Sequence, residues 1–198
     1  MTCENCDLTN CRPGKIIRTT PDQNLKWDTY FHSICAAVAS KSPCLSRKIG
    51  AILVKDHSIV STGFNGPSRG VPHCGHDRVM KDSTFDDSMF DLVPADIRKS
   101  RFKTECPRKI LGYASGTHME LCPAQHAEEN AISNAARLGV STVGTTLYMN
   151  CVIPCKNCFG TLINAGIAEI VVDDTVVYDK HTQFLIDNSN IKIRRFEL

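Results

Sequence analysis

The sequence predicts a three-layer α/β/α fold with a mixed five-stranded sheet, and three observations lead to it. Helical and strand-like segments alternate from residue 25 to residue 196. The strand-like segments are short and rich in β-branched residues, and two helical segments begin where a strand or loop ends in metal-ligand residues. With 198 residues, 42% hydrophobic and 22% charged, the composition is that of a globular domain and excludes disordered and fibrous classes. Lys and Arg number 23 against 21 Asp and Glu, a net charge of +2, so no nucleic-acid partner is expected. No apolar stretch approaches the roughly 20 residues that span a bilayer. The start, Met1-Thr2-Cys3-Glu4-Asn5-Cys6, lacks a basic and then apolar segment, so a cytoplasmic location and no membrane are expected. Eleven cysteines in a reducing compartment point to metal ligation or catalysis, and their odd number argues against complete pairing.

Residues 1–24 read as an irregular extension carrying Cys3, Cys6 and Cys11, and residues 25–198 as the domain. Cys3, Cys6 and Cys11 read equally as a further zinc site or as free thiols of a mobile tail. Leu25, Phe31, Ile34, Cys35 and Val38 recur at helical spacing, and Ser42-Pro43 ends that helix. Ile49–Val54 and Ile59–Phe64, joined by Lys55-Asp56-His57-Ser58, read as a hairpin. An insertion over about 67–122 breaks periodicity with repeated Gly and Pro, and a loop that long needs a function or an internal staple. His126–Leu138 then reads as a helix closed by Gly139, Thr145–Asn150 as a strand, and Cys155–Asn164 as a helix. Ile167–Val172 is a strand, Asp179–Asp187 a helix and Ile191–Phe196 the last strand. Cys35 on an apolar helix face and Cys151 at a strand end read as small core residues.

Two motifs carry the chemistry: His126-Ala127-Glu128 and Pro154-Cys155-Lys156-Asn157-Cys158, each at a helix start. Two cysteines three positions apart in a first helical turn can face one ion, and the positive helix end favours the thiolate that zinc requires. With His126 they make three ligands, and three ligands with one open position is the plan of a catalytic zinc. Glu128, two residues from His126, is placed to move protons without ligating the metal. Set against this, Cys155 and Cys158 could instead close a four-cysteine structural site, or form a redox pair.

The pair His-x-Glu and Pro-Cys-x-x-Cys is the signature of zinc-dependent nucleobase deaminases. The segments Ser46–Val54, Ser61–Pro67, His126–Ile132, Thr146-Leu147-Tyr148 and Ala165-Gly166-Ile167 further resemble the deoxycytidylate deaminases, phage and bacterial members especially. The resemblance runs from Leu25 to about Phe196. It implies the cytidine-deaminase-like fold and hydrolysis of dCMP to dUMP, feeding thymidylate synthesis. It also implies a homo-oligomer, commonly a hexamer, regulated by dCTP as activator and dTTP as inhibitor, with Mg accompanying the nucleotide effector.

Residue by residue, Asn65 resembles the family's sugar-contacting asparagine, although Asn-Gly is equally a turn signal. Ser46 and Lys48, with Arg47 between them, suit a 5′-phosphate or a solvated approach to the first strand. Tyr178 resembles a tyrosine near the substrate. Relatives carry a second, structural zinc, and by position Cys44 and Cys74 match its ligands, with Cys106 and Cys122 completing a four-sulfur set and His73, His76 and His118 as competitors. Effector binding is implied at Gly63, Phe64, Asn65 and Gly66, with Arg69 as either a triphosphate cation or a solvated charge. The rival functions are a tRNA adenosine or other nucleobase deaminase, and a non-catalytic zinc-binding module.

Overall fold

A computed structural model describes residues 21–82, 100–114, 116–177 and 179–198. Five strands form one mixed sheet in the order β2-β1-β5-β6-β7: β1 (Gly50–Lys55), β2 (Ser58–Phe64), β5 (Thr146–Val152), β6 (Glu169–Asp174) and β7 (Lys192–Arg195). The β1–β2 and β1–β5 pairs are antiparallel, whereas β5–β6 and β6–β7 are parallel. The mixed five-stranded sheet expected from the sequence is the one found.

Alternation along β1 sends successive side chains to opposite faces, and both faces are covered. Ile52 and Val54 meet Phe31 and Cys35 of α1 (Pro21–Ser40), together with Tyr148 and Val171. Ala51 and Leu53 meet Ala127, Ala131 and Ala135 of the helix Ala127–Arg137, and Phe159 and Leu162 of the helix Lys156–Asn164. Burial in the first of these layers pushes the Cys35 thiol up to about 12, which fits its expected core role. Two glycines let the helices sit this close. A Cβ on Gly50 would lie 2.2 Å from the Cys35 carbonyl oxygen of α1, and one on Gly63 would lie 2.2 Å from the Ala127 carbonyl oxygen. The hairpin turns at Asp56 and His57, both with positive φ, as a tight two-residue turn requires, and His57 stacks on Trp27 at 4.3 Å. The carboxyl end is pinned to α1 by Asp28, which is fully buried and accepts from Arg194 Nη2 at 2.9 Å and from the Glu197 backbone N–H at 2.9 Å.

The insertion holds more regular structure than its Gly and Pro content implies. It contains α2 (His76–Lys81), a four-residue helix α3 (Pro107–Ile110) and a 3-10 turn at Met119–Leu121. Its two ends are joined by a short antiparallel pair, β3 (Gly66–Pro67) with β4 (Ala124–Gln125), in the register Gly66↔Gln125 and Pro67↔Ala124. Two-residue strands leave no periodic signal, so sequence patterning misses them. Their effect is positional: they bring Asn65 and His126, each one residue outside the pair, to the same place. The remaining helices are α4 (Ala127–Arg137), α5 (Lys156–Asn164) and α6 (Lys180–Asp187). The first helix begins four residues before the expected Leu25. Cys3, Cys6, Cys11 and Tyr178 lie outside the described residues.

Candidate active site

Two helix starts converge at the carboxyl end of β5. His126 is the N-cap of α4 and Cys155 the N-cap of α5, both with extended backbone, and Cys158 follows in the first turn of α5. The His126 backbone N–H donates to Glu129 at 3.3 Å, which fixes the start of α4. His126 Nδ1 stands 3.2 Å from Cys158 Sγ and 3.7 Å from Cys155 Sγ, and the two sulfurs are 3.4 Å apart. Among the described residues, these three are the group whose donor atoms gather within 4.8 Å.

Zinc–sulfur bonds of roughly 2.3 Å and zinc–nitrogen bonds of roughly 2.0 Å, set at tetrahedral angles, separate such ligands by roughly 3.5 to 3.8 Å. The observed triangle agrees to within a few tenths of an ångström, and two sulfurs with one imidazole nitrogen are donors zinc favours. Electrostatics point the same way. The Cys158 thiol and then His126 hydrogen-bond Cys155, which holds the Cys155 thiol down at about 3, against the burial that opposes ionisation. His126 is raised to about 11, first by Cys155 and then by Glu128. Two helix amino ends add positive potential.

Glu128 lies in the first turn of α4 with only 4% exposure, its Oε1 3.7 Å from His126 Nδ1. Both groups face a cleft of about 910 Å³. Ser46, Arg47, Asn65, Lys156 and His181 also line it. Lys48 is exposed and lies outside this lining, next to Arg47 and Ile49, which are part of it. Arg47 Nη2 donates to Cys151 Sγ at 2.8 Å, so Cys151, expected only as core filling, is also part of the cleft wall.

Asn65 is 8% exposed, and its side chain does the work of a latch. Its Oδ1 accepts from the Ile49 backbone N–H and from Ser42 Oγ, both at 2.8 Å, and its Nδ2 donates to the Arg47 carbonyl at 2.8 Å. The turn-former and the site residue are therefore one and the same: Asn65 lines the cleft while holding Arg47 and Ile49 in register. Sequence reasoning did not find Asp179 as a site residue. Its carboxylate accepts from the Lys156 backbone N–H at 2.9 Å and from Thr182 N–H at 2.8 Å, tying the start of α5 to that of α6. The Thr182 hydroxyl and these N–H groups hold its pKa down at about 2. The signal was present in the sequence as a helix cap, with Asp179 three residues before Thr182.

Of the effector residues, Gly63 is buried against α4 and Gly66 against Pro43, while Phe64 is half-buried. Arg69 is exposed and donates to Asn134 Oδ1 at 2.8 Å, an α4 residue. Cys44, Cys74, Cys106 and Cys122 surround a cavity of about 20 Å³, a wider ring than the triangle of His126, Cys155 and Cys158, and Cys44, Cys106 and Cys122 line the cleft as well. His73, His76 and His118 do not line it. Cys44 Sγ accepts from the Ser46 backbone N–H at 3.4 Å, and Cys74 Sγ accepts from Arg78 Nη1 at 3.3 Å.

Residues 25–173 match the family profile described as the cytidine and deoxycytidylate deaminase zinc-binding region. A deoxycytidylate deaminase of Schizosaccharomyces pombe is 27% identical over 86% of this chain and 44% of its own length. The chain thus spans less than half of that relative. A deoxycytidylate deaminase of Mycobacterium phage D29 is 30% identical over 73% of this chain and 92% of its own length. The solved dCMP deaminase of cyanophage S-TIM5 shares the fold, with a TM-score of 0.55, 18% identity and coverage of 89% of this chain and 99% of the other. With the profile covering most of the chain and the zinc-ligand triangle within it, the protein belongs to the cytidine and deoxycytidylate deaminase family.

Proposed function

We propose that this chain hydrolyses dCMP to dUMP and ammonia. The observation that carries the proposal is the buried Glu128 carboxylate beside the His126, Cys155 and Cys158 triangle at the floor of an open cleft. Deoxycytidylate deaminases from fungi and phage among its relatives support the choice of substrate.

His126 Nδ1 and the sulfurs of Cys155 and Cys158 would hold the zinc. When bound, zinc supplies the Lewis acidity that brings the pKa of water from ~15.7 to about 7. Glu128 takes a proton from the attacking water and gives it to the ring nitrogen beside the amino-bearing carbon, then takes the hydroxyl proton of the resulting adduct and gives it to the amine, which leaves as ammonia as the C–N bond breaks and the carbonyl forms. Its burial keeps the carboxylate aimed at that exchange rather than at bulk water. Ser46 and Lys48 receive the 5′-phosphate, and Arg47, which lines the cleft, adds a forked cation. Asn65 contacts the sugar from its latched position, and Tyr178 is the further substrate contact that the family resemblance implies.

The proposal extends to the rest of the domain, taken as residues 25–198 with 1–24 as an extension. Cys44, Cys74, Cys106 and Cys122 hold a second, structural zinc that fixes the insertion. The enzyme works as a homohexamer in the cytoplasm, activated by dCTP with Mg and inhibited by dTTP, with effector contacts falling to Phe64 and Arg69. Among the described residues, no helix is long and apolar enough to cross a membrane.

The test is loss of cytosine absorbance when dCMP is added to the zinc-loaded protein, alone and with dCTP or dTTP. Turnover of dCMP, faster with dCTP and slower with dTTP, is expected. Turnover unaffected by either nucleotide removes the regulatory part, and no turnover of dCMP removes the substrate.

A further inference from the structure

Arg108 is 7% exposed, and its Nε is buried without a hydrogen-bond partner among the described residues. No carboxylate oxygen of the described residues lies within 4.0 Å of it, and the exposed Glu120 feels it only at longer range. Its guanidinium donates to the Met119 sulfur, a weak acceptor. A buried cation with a soft neighbour and an idle donor requires an anion nearby. Arg108 follows Cys106 by two residues, opens α3, and lines both the four-cysteine cavity and the cleft that holds Glu128. It stands in the partition between the two.

The charge of that cavity supplies the missing partner. Four thiolates around one divalent zinc leave two negative charges in excess, and such a centre is stable in a protein interior only with donors and cations around its sulfurs. Arg78 contributes one set: it is 5% exposed and donates to Cys74 Sγ, but Asp82 lies 2.6 Å from its Nε and takes up part of its charge. Among the described residues, Arg108 has no such acid.

We propose that Arg108 is the counter-cation of the four-cysteine centre, its guanidinium lining the same small cavity as Cys44, Cys74, Cys106 and Cys122. The inference rests on the second-zinc reading. A cation in this place gives the centre a reason to be where it is: it fixes α3 and Met119, which form the insertion's contribution to the cleft wall.

The test compares zinc content and zinc release to a chromophoric chelator in the wild-type holoenzyme, Arg108→Met and Arg108→Lys. Cys74→Ser identifies which equivalent belongs to the four-cysteine centre. The wild type is expected to hold two equivalents. Arg108→Met, similar in length but uncharged, should release the structural one 10–100-fold faster, to the order seen when a metal's outer partners are removed. Arg108→Lys should fall between, since it keeps the charge and loses the fork, and it stands in if the Met variant does not fold. The KM values for dCMP and deoxycytidine should move together. Unchanged zinc release in both variants overturns the proposal. Unchanged release with a KM raised for dCMP alone overturns it in favour of a phosphate contact. A wild type that holds a single equivalent overturns it together with the second-zinc reading, a failure visible before any variant is made.

Discussion

The triangle of His126, Cys155 and Cys158 and the four-cysteine ring both gather side chains of the kind that bind metals, yet they are built in opposite ways. His126 and Cys155 cap the starts of two helices that pack on the core, Cys158 follows in the first turn of the second, and their donor atoms lie within 3.7 Å of one another. Cys44, Cys74, Cys106 and Cys122 come from loops and from the ends of short elements, and their ring is wider. A site made by secondary structure is pre-formed by the core beneath it. One made by loops depends on what fills it. On the proposed function, the first would govern chemistry and the second the shape of the cleft wall.

The largest effect that separates the two regions comes from exchanging one sulfur in each. Cys155→Ser should lose the catalytic zinc and all measurable turnover with little change in melting temperature, because Phe159 and Leu162 of the same helix stay in the core. Cys74→Ser should do the reverse, lowering the melting temperature by several degrees and zinc content by one equivalent while some turnover remains. Equal loss of turnover in both would erase the distinction. Next in size is Glu128→Gln, expected to lower kcat by about 10²–10⁴-fold with zinc content unchanged, as metal analysis beside the absorbance assay would show.

Gly63→Ala sharpens the claim that the core pre-forms the first site. A methyl group there would lie 2.2 Å from the Ala127 carbonyl oxygen, so α4 must shift, and overpacking of this kind destabilises by about 1–3 kcal/mol or more. Because Ala127 adjoins both His126 and Glu128, kcat should fall along with the melting temperature. A fall in melting temperature alone would mean the site tolerates movement of its helix.

The smallest effect concerns Asp179, which joins the two helices on the far side of the triangle. Its folded pKa is depressed to about 2 from an ordinary 3.8, so its contribution to stability is fully present above the ordinary value and is lost as pH falls through about 2. Melting curves of the wild type should therefore drop more between pH 4 and pH 2 than those of Asp179→Asn. Parallel curves would show that the carboxylate's charge contributes nothing to the cap.

The sequence makes the first region legible and the second only partly so, for the same physical reason. Cysteines at positions 155 and 158 fall on one face of a first helical turn by local geometry, and short apolar runs rich in β-branched residues reveal every strand of the main sheet. The four cysteines span residues 44–122, and their approach depends on the two-residue pairing of β3 with β4 and on short helices, which have no period to detect. The Asn65 latch is a finer case: its hydrogen bonds to the Ile49 N–H and the Arg47 carbonyl are not written in residue types.

The most direct measurement of the central claim is a zinc titration of chelator-treated protein, with dCMP turnover followed against equivalents of zinc returned. Chelation should abolish turnover, and activity should return in the wild type but not in Cys155→Ser or Glu128→Gln. Turnover that persists after complete removal of zinc, or that returns equally in Cys155→Ser, would contradict the account.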